Sequence, residues 1–222
     1  MRGNAWLTHA GIVEAAQRAT RWVHPVTAEV SVALSRDSQG VCAVASADAV
    51  SRELPEPSVG ETLVVLAQGR DPGNVGTIIR TADAFGAVGV ITVSGTVEAT
   101  SPKVVRASAG SVFHIPVCIV PSFEEAHALI HRRSAALLGT SGGAGSLDLS
   151  QMLAQGVSGR SRLSQSHAWV FGNEAKGLSG AEMRLCDALV SIPMTGDAES
   201  LNVASAATAC LFASQTVRGM AL

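Results

Sequence analysis

The sequence predicts an α/β fold, a parallel sheet covered by helices on both faces. Three observations carry that expectation. From Thr62 onward, short runs that are apolar throughout alternate with helix-like stretches. Strands that are apolar at every position belong to sheets buried on both sides. Three polar clusters directly follow three of those runs, and open α/β sheets hold their ligands beyond the carboxyl ends of strands. The chain, at 222 residues and 47% hydrophobic, is also long and apolar enough to bury a sizeable core. It has no Tyr and only 4% aromatics, so its helices are expected to pack through small side chains.

Taken in order, residues 1–50 read as a small α/β piece. Thr8 is expected to cap a helix carrying Ile12, Ala16, Ala19 and Val23 on one face. Pro25 suits the first turn of a second helix, with Val26, Val30 and Leu34 inward. Val41 to Ala45 reads as a short strand after the Gln39-Gly40 turn. Residues 51–61, SRELPEPSVGE, hold two prolines, a glycine and charges, and read as a linker. TLVVLAQ, from Thr62, is a buried strand. A helix through Ile78, Ile79, Ala82 and Phe85 stops at Gly86. VGVITV is the next strand, and a helix over Pro102 to Ala109 leads to the strand IPVCIV. Phe123 to Arg132 is helical, AALLGTS a strand, and Asp148 to Leu153 a short helix. AWVFGN and ALVSIP are the last strands. A helix from Asn202 to about Val217 closes the domain, 62–222.

Net charge is −2. Bulk charge therefore does not hold this chain on nucleic acid, and an RNA role needs a local basic patch. Lys103 with Arg106, and Arg18 with Arg21, are the candidates. Cys42, Cys118, Cys186 and Cys210 are far apart, with no metal-type spacing, and read as buried reduced thiols. The six histidines show no metal pairing; His127 and His131 share a helix face without a third ligand. No metal is expected. No run is long enough to span a membrane and no signal peptide is evident, so a cytoplasmic protein is expected.

The first polar cluster is DPGNVGTIIRTADAFG, Asp71 to Gly86. Asp71-Pro72-Gly73 is turn chemistry, and Asn74 sits at a helix N-cap. Arg80 stands among apolar and small residues, where an arginine calls for a partner such as phosphate or carboxylate. The second is FGNEAKGLS, Phe171 to Ser179. Its glycines let backbone approach a ligand, and its Asn173 and Glu174 end an apolar strand, where a carboxylate is costly unless paired. The third is IPMTGDAESLN, Ile192 to Asn202, a polar turn opening into an apolar helix, with Glu199, Ser200 and Asn202 beside free helix amides. GTSGGAG, Gly139 to Gly145, lacks dinucleotide spacing and reads as a loop lining a nucleoside-type pocket. No G-x-S-x-G elbow is present, which disfavours serine hydrolysis.

In order and spacing the three clusters resemble the motifs of the SpoU (TrmH-type) branch of the SPOUT RNA 2′-O-ribose methyltransferases. N-x-G-x-x-x-R-T-A-D-A-F-G, then G-N-E-x-x-G-L-S, then I-P-M-x-G-x-A-E-S-L-N-V-A carry the resemblance, and SPKVVRASAGSVFHIPV looks like the family too. It covers about residues 60–218. The resemblance implies an α/β sheet whose C-terminal segment forms a trefoil knot. It implies S-adenosylmethionine held by Leu138, Gly139, Thr140 and Ser141, by Phe171, Gly172, Asn173 and Gly177, and by Ile192, Pro193, Met194, Leu201 and Val203. Asn74, Arg80, Glu174, Ser200 and Asn202 would form the catalytic set. Arg80, Lys103 and Arg106 would meet RNA. A homodimer is implied, with Arg80 acting near the partner subunit's cofactor.

Many relatives carry a full N-terminal RNA-recognition domain resembling ribosomal protein L30e. HAGIVEAAQRA resembles an early helix of it and LSRDSQGVCAVAS its end, so residues 1–50 are expected to be a reduced, truncated L30e-like recognition region. The expected activity is ribose 2′-O-methylation of RNA, rRNA rather than tRNA and 23S rRNA in particular, with antibiotic resistance as one variant. A non-catalytic SPOUT dimer that binds cofactor or RNA, or a small-molecule methyltransferase, are the alternatives.

Overall fold

A computed structural model of the chain describes residues 8–143, 145–156 and 159–220. The chain divides into two compact units between Ser46 and Ala47.

The smaller unit holds α1 (Ala10–Ala19) and α2 (Ala28–Leu34). Ser31 is its one buried residue among those described. Its Oγ lies 2.7 Å from Ser38 Oγ, and the Cys42 thiol reaches Ser38 Oγ at 3.1 Å. Several expectations are corrected here. His9, not Thr8, precedes α1, and no side chain caps that end. Thr27 caps α2, which begins after Pro25 rather than on it. Val26, Val30 and Leu34 face out, 45–58% exposed, as does Ile12. Residues 41–45 form no strand. The physical reason is size, because so short a segment has too little apolar surface to close a core.

The larger unit carries a seven-stranded sheet in the order β3-β2-β1-β6-β4-β7-β5, every pair parallel. The strands are β1 (Thr62–Leu66), β2 (Gly89–Val93), β3 (Val117–Val120), β4 (Ala136–Thr140), β5 (Leu147–Asp148), β6 (His167–Phe171) and β7 (Ala188–Ser191). The helices are α3 (Pro72–Ala84), α4 (Pro102–Ala107), α5 (Phe123–Arg132), α6 (Leu149–Gly156), α7 (Gly180–Leu185) and α8 (Val203–Met220). Alternate residues of the central strands feed two separate cores. Val64, Leu66, Trp169 and Phe171 pack with α3, α4, α6 and α8. Leu63, Val65, Ala168 and Val170 pack with Phe123, Ala126 and Ile130 of α5. That two-sided burial is why the strand sequences are apolar without alternation.

Small residues set the helix spacing, as the composition predicts. A Cβ on Gly76 would lie 2.5 Å from Ala107 Cβ and 2.7 Å from Val104 O, so α3 and α4 touch nearly backbone to backbone. Helix α8 is pinned to β6 by a buried polar knot. The Trp169 indole N–H donates to Ser214 Oγ (2.8 Å), and His167 Nε2 lies 2.7 Å from the same oxygen. His167 Nδ1 donates to the Gln165 carbonyl (2.7 Å), which can only accept. Nε2 of the neutral ring then accepts the Ser214 hydroxyl. Burial drives the imidazole pKa down to about 4, with the nearby Arg218 charge acting in the same direction.

Residues 51–61, expected as a linker, pack on the larger unit. The Ser51 carbonyl accepts from Val117 N, and Arg133 donates to Pro55 O and grips the buried Glu61 carboxylate with two bonds of 2.7 and 2.8 Å. The capping-box helix α7 and the short β5 were not expected, and Asp148 ends β5 instead of opening α6. The cysteines are free, but Cys42 is exposed and only Cys210 is buried.

Candidate active site

The three polar clusters meet at the carboxyl edge of the sheet, because β1 pairs with β6, and β4 with both β6 and β7. Asp71, at the first helix, is the residue that caps α3; its carboxylate accepts from Asn74 N at 2.8 Å. The expected cap, Asn74, is thereby corrected to the third helical position. Its side chain is left free, and Asn202 Nδ2 donates to Asn74 Oδ1 at 3.0 Å across 128 residues of sequence. Asn202 Oδ1 accepts in turn from the amides of Ala204 and Ser205 (2.9 and 3.3 Å), the orphan donors that open α8.

Glu174 completes this latch. Its Oε1 accepts from the amides of Arg70 (3.2 Å) and Asp71 (3.1 Å). Partial burial raises the carboxyl pKa, but the amides of Asp71, Glu174 itself and Arg70, with the Asn74 side chain, outweigh burial and hold it below the usual range. Motif two thus fastens to motif one, and motif one to motif three. The loop carrying Glu174 is shaped by Asn173, whose backbone pairs with Gly177 in both directions and whose Oδ1 accepts from Ala175 and Lys176 N. A Cβ on Gly172 would meet Gly177 C at 2.4 Å, so glycine is required where the loop folds back.

The rest of the anticipated cofactor set lies at the ends of β4, β6 and β7 and at the start of α8. Ser141 N donates to Val190 O (3.0 Å) and Thr140 Oγ1 to Val170 O (2.9 Å), tying the end of β4 to β7 and β6. Leu138 and Phe171 are fully buried in the core, so only their backbone can meet a ligand. Pro193, Met194 and Leu201 are exposed, Ile192 and Val203 half-buried. Met194 (43%) and Leu201 (44%) are exposed apolar side chains in this polar turn. A cavity of about 190 Å³ lies against α6 and Arg160 and Arg162, and no motif residue lines it.

Arg80 and Ser200 are not joined to the latch. Both are exposed and make no hydrogen bond or ion pair among the described residues. Lys103 and Arg106 are exposed on α4, and Arg106 has a contact of its own. Among the described residues no group of three metal-binding side chains exists. Sequence reasoning missed Asp71 as cap. The signal was there, since Asp before Pro-Gly is an N-cap followed by proline at the first helical turn.

Residues 61–212 match the family model of the SpoU rRNA Methylase family. The chain belongs to the SpoU family. A 23S rRNA (uridine(2479)-2'-O)-methyltransferase of Streptomyces viridochromogenes is 42% identical over 146 residues, 64% of this chain and 47% of that protein. The RlmB 23S rRNA (guanosine-2'-O-)-methyltransferase of Bordetella pertussis is 35% identical over 208 residues, 91% of this chain and 81% of its own. The SpoU methyltransferase AviRb from Streptomyces viridochromogenes, solved in complex with the cofactor AdoMet, superposes with a TM-score of 0.63 at 38% identity, over 73% of this chain and 61% of that one. This SpoU-family chain therefore spans about half the length of the Streptomyces relative it matches, though four fifths of the Bordetella one.

Proposed function

We propose that this SpoU-family protein transfers a methyl group from S-adenosylmethionine to a ribose 2′-hydroxyl of RNA, rRNA rather than tRNA. One observation carries the reading: Asn74, Glu174 and Asn202, one from each motif, are hydrogen-bonded into a single unit at the carboxyl edge of the sheet. The names of its relatives, 23S rRNA 2′-O-methyltransferases, and the AdoMet complex of AviRb supply the substrate class and cofactor.

The residues present fit such a cofactor. Met194 and Leu201 offer uncovered apolar surface to an adenine, and the backbone of 138–141, 171–177 and 192–203 offers polar groups around it. When bound, the sulfonium supplies an activated methyl with a neutral thioether as leaving group. The protein's share is to align the alcohol and let its proton leave. A guanidinium stays protonated and cannot be the base. Arg80 therefore acts as a phosphate clamp and oxygen positioner, and an RNA phosphate takes the proton. Ser200 orients ribose or phosphate, while Asn74, Glu174 and Asn202 hold the frame. Lys103 and Arg106 extend the contact with RNA.

Three further features belong to the same proposal. The segment after β7 threads a trefoil knot; β6 inserted between β1 and β4, and β7 between β4 and β5, support it. The protein is a homodimer through α3 and α8, where Phe212 is 53% exposed beside Phe85 and flanked by the exposed small residues Thr77, Ala84 and Thr208. Phe212→Asp is expected to give monomers by light scattering; dimers would overturn that interface. Residues up to about 50 serve as a reduced, L30e-like recognition region, working in the cytoplasm. No described helix is long and apolar enough to cross a membrane.

The test is to incubate the protein with methyl-labelled S-adenosylmethionine and deproteinised rRNA or tRNA, then digest to nucleosides. Label in 2′-O-methylnucleosides from rRNA is expected. Cofactor binding without label in RNA would refute the reading.

A further inference from the structure

The protein carries a net charge of −2, so RNA has to be gripped by local groups rather than by a general basic surface. Two cations sit where the latch meets solvent. Arg70 precedes α3, and its amide donates to Glu174 at 3.2 Å. Lys176 lies two residues beyond Glu174 in the turn closed by Asn173 and Gly177, and its amide donates to Asn173 Oδ1 at 3.2 Å. Both side chains are exposed, and neither makes an ion pair or side-chain hydrogen bond among the described residues. Asp71 and Glu174 keep their negative charge nearby, but each is held by backbone amides and neither forms an ion pair with Arg70 or Lys176 among the described residues.

The geometry points to Arg70 and Lys176 as a two-point clamp on RNA backbone phosphates flanking the target nucleotide. The backbone of Arg70 is bonded to Glu174 and that of Lys176 to Asn173, while both long side chains are exposed. That is what a sequence-independent phosphate contact needs: a fixed root and a free charged end. Arg70 suits a forked contact with two phosphate oxygens, and Lys176 a point contact. The clamp rests on the RNA-methylation reading above and adds to it residues that fix the RNA's register rather than carry the chemistry.

The experiment compares wild type, Arg70→Ala, Lys176→Ala and, as a control on the opposite side of the domain, Arg132→Ala. Each full-length protein is assayed for RNA methylation at salt from 50 to 200 mM, and S-adenosylmethionine binding is measured separately by calorimetry. Losing one phosphate contact lowers the slope of log KM for RNA against log salt by roughly 0.7 to 0.9. The KM of each clamp variant should therefore rise about three-fold less than wild type across that range. KM should change more than kcat, and cofactor affinity and the Arg132→Ala slope should match wild type. Methylation by all four proteins with one common salt slope overturns the clamp and leaves the RNA reading standing. A wild type that binds cofactor but methylates no RNA overturns both.

Discussion

The candidate site has two halves of opposite character. Asn74, Glu174 and Asn202 are latched to one another and to backbone amides. Arg80, Ser200, Met194 and Leu201 stand open to solvent beside them. The latched half is held by its own bonds, which cap α8 and join three loops. The open half consists of a cation, a hydroxyl and two apolar side chains, which the proposed function assigns to RNA and cofactor. Fold and function are thus divided among neighbouring residues, and substitutions should divide the same way.

The largest effect is expected at Arg80. Arg80→Ala should lower turnover by roughly 10²–10³-fold, the usual cost of removing one positioned charge-stabilising donor. Its unfolding free energy should stay within about 0.5 kcal/mol of wild type, as for other exposed, unbonded positions. Equal losses of stability and turnover would erase the distinction between the halves.

Next is the buried support behind the latch, where His167 and Ser214 pin α8 to β6. The folded-state pKa of about 4 lies below the unfolded value of about 6.5, so the stabilising contribution is complete above pH 6.5 and is lost as pH falls toward 4. Between pH 7.5 and 4.5 that loss is roughly 2–3 kcal/mol. Urea unfolding of wild type and His167→Asn at both pH values measures it. The variant should lose correspondingly less stability on acidification, and parallel losses would remove His167 from the account.

Asn202→Ala should cost about 1 kcal/mol through the lost α8 cap, visible as a lower urea midpoint, and should also weaken RNA methylation. The smallest effect on folding is expected from Leu201→Ala, within about 0.5 kcal/mol. It should still raise the Kd for S-adenosylmethionine roughly five-fold, from lost apolar contact, by calorimetry.

How legible each half was follows from its chemistry. The strands of the larger unit could be read because they are buried on two faces and therefore apolar throughout, and Phe123–Arg132 was expected to the residue. Helix α7 escaped notice because it is short, although Ser179 and Glu182 spell a capping box. The motif residues stood out as polar groups at strand ends. Their bonding did not, since the Asn74–Asn202 contact spans the whole domain in sequence and depends on Asp71 taking the cap. In the smaller unit, periodicity suggested inward faces at Val26, Val30 and Leu34, yet these are exposed. A helical pattern marks an apolar face without saying whether enough chain is present to cover it.

The most direct measurement is primer extension along 23S rRNA at low nucleotide concentration after incubation with the protein and S-adenosylmethionine. A ribose-methylated nucleotide stalls the polymerase under those conditions. Wild type should create one new stop, which Arg80→Ala fails to create while still binding cofactor. A wild type that binds S-adenosylmethionine yet leaves the 23S pattern unchanged, or an Arg80→Ala protein that produces the same stop at the same rate, would contradict the account.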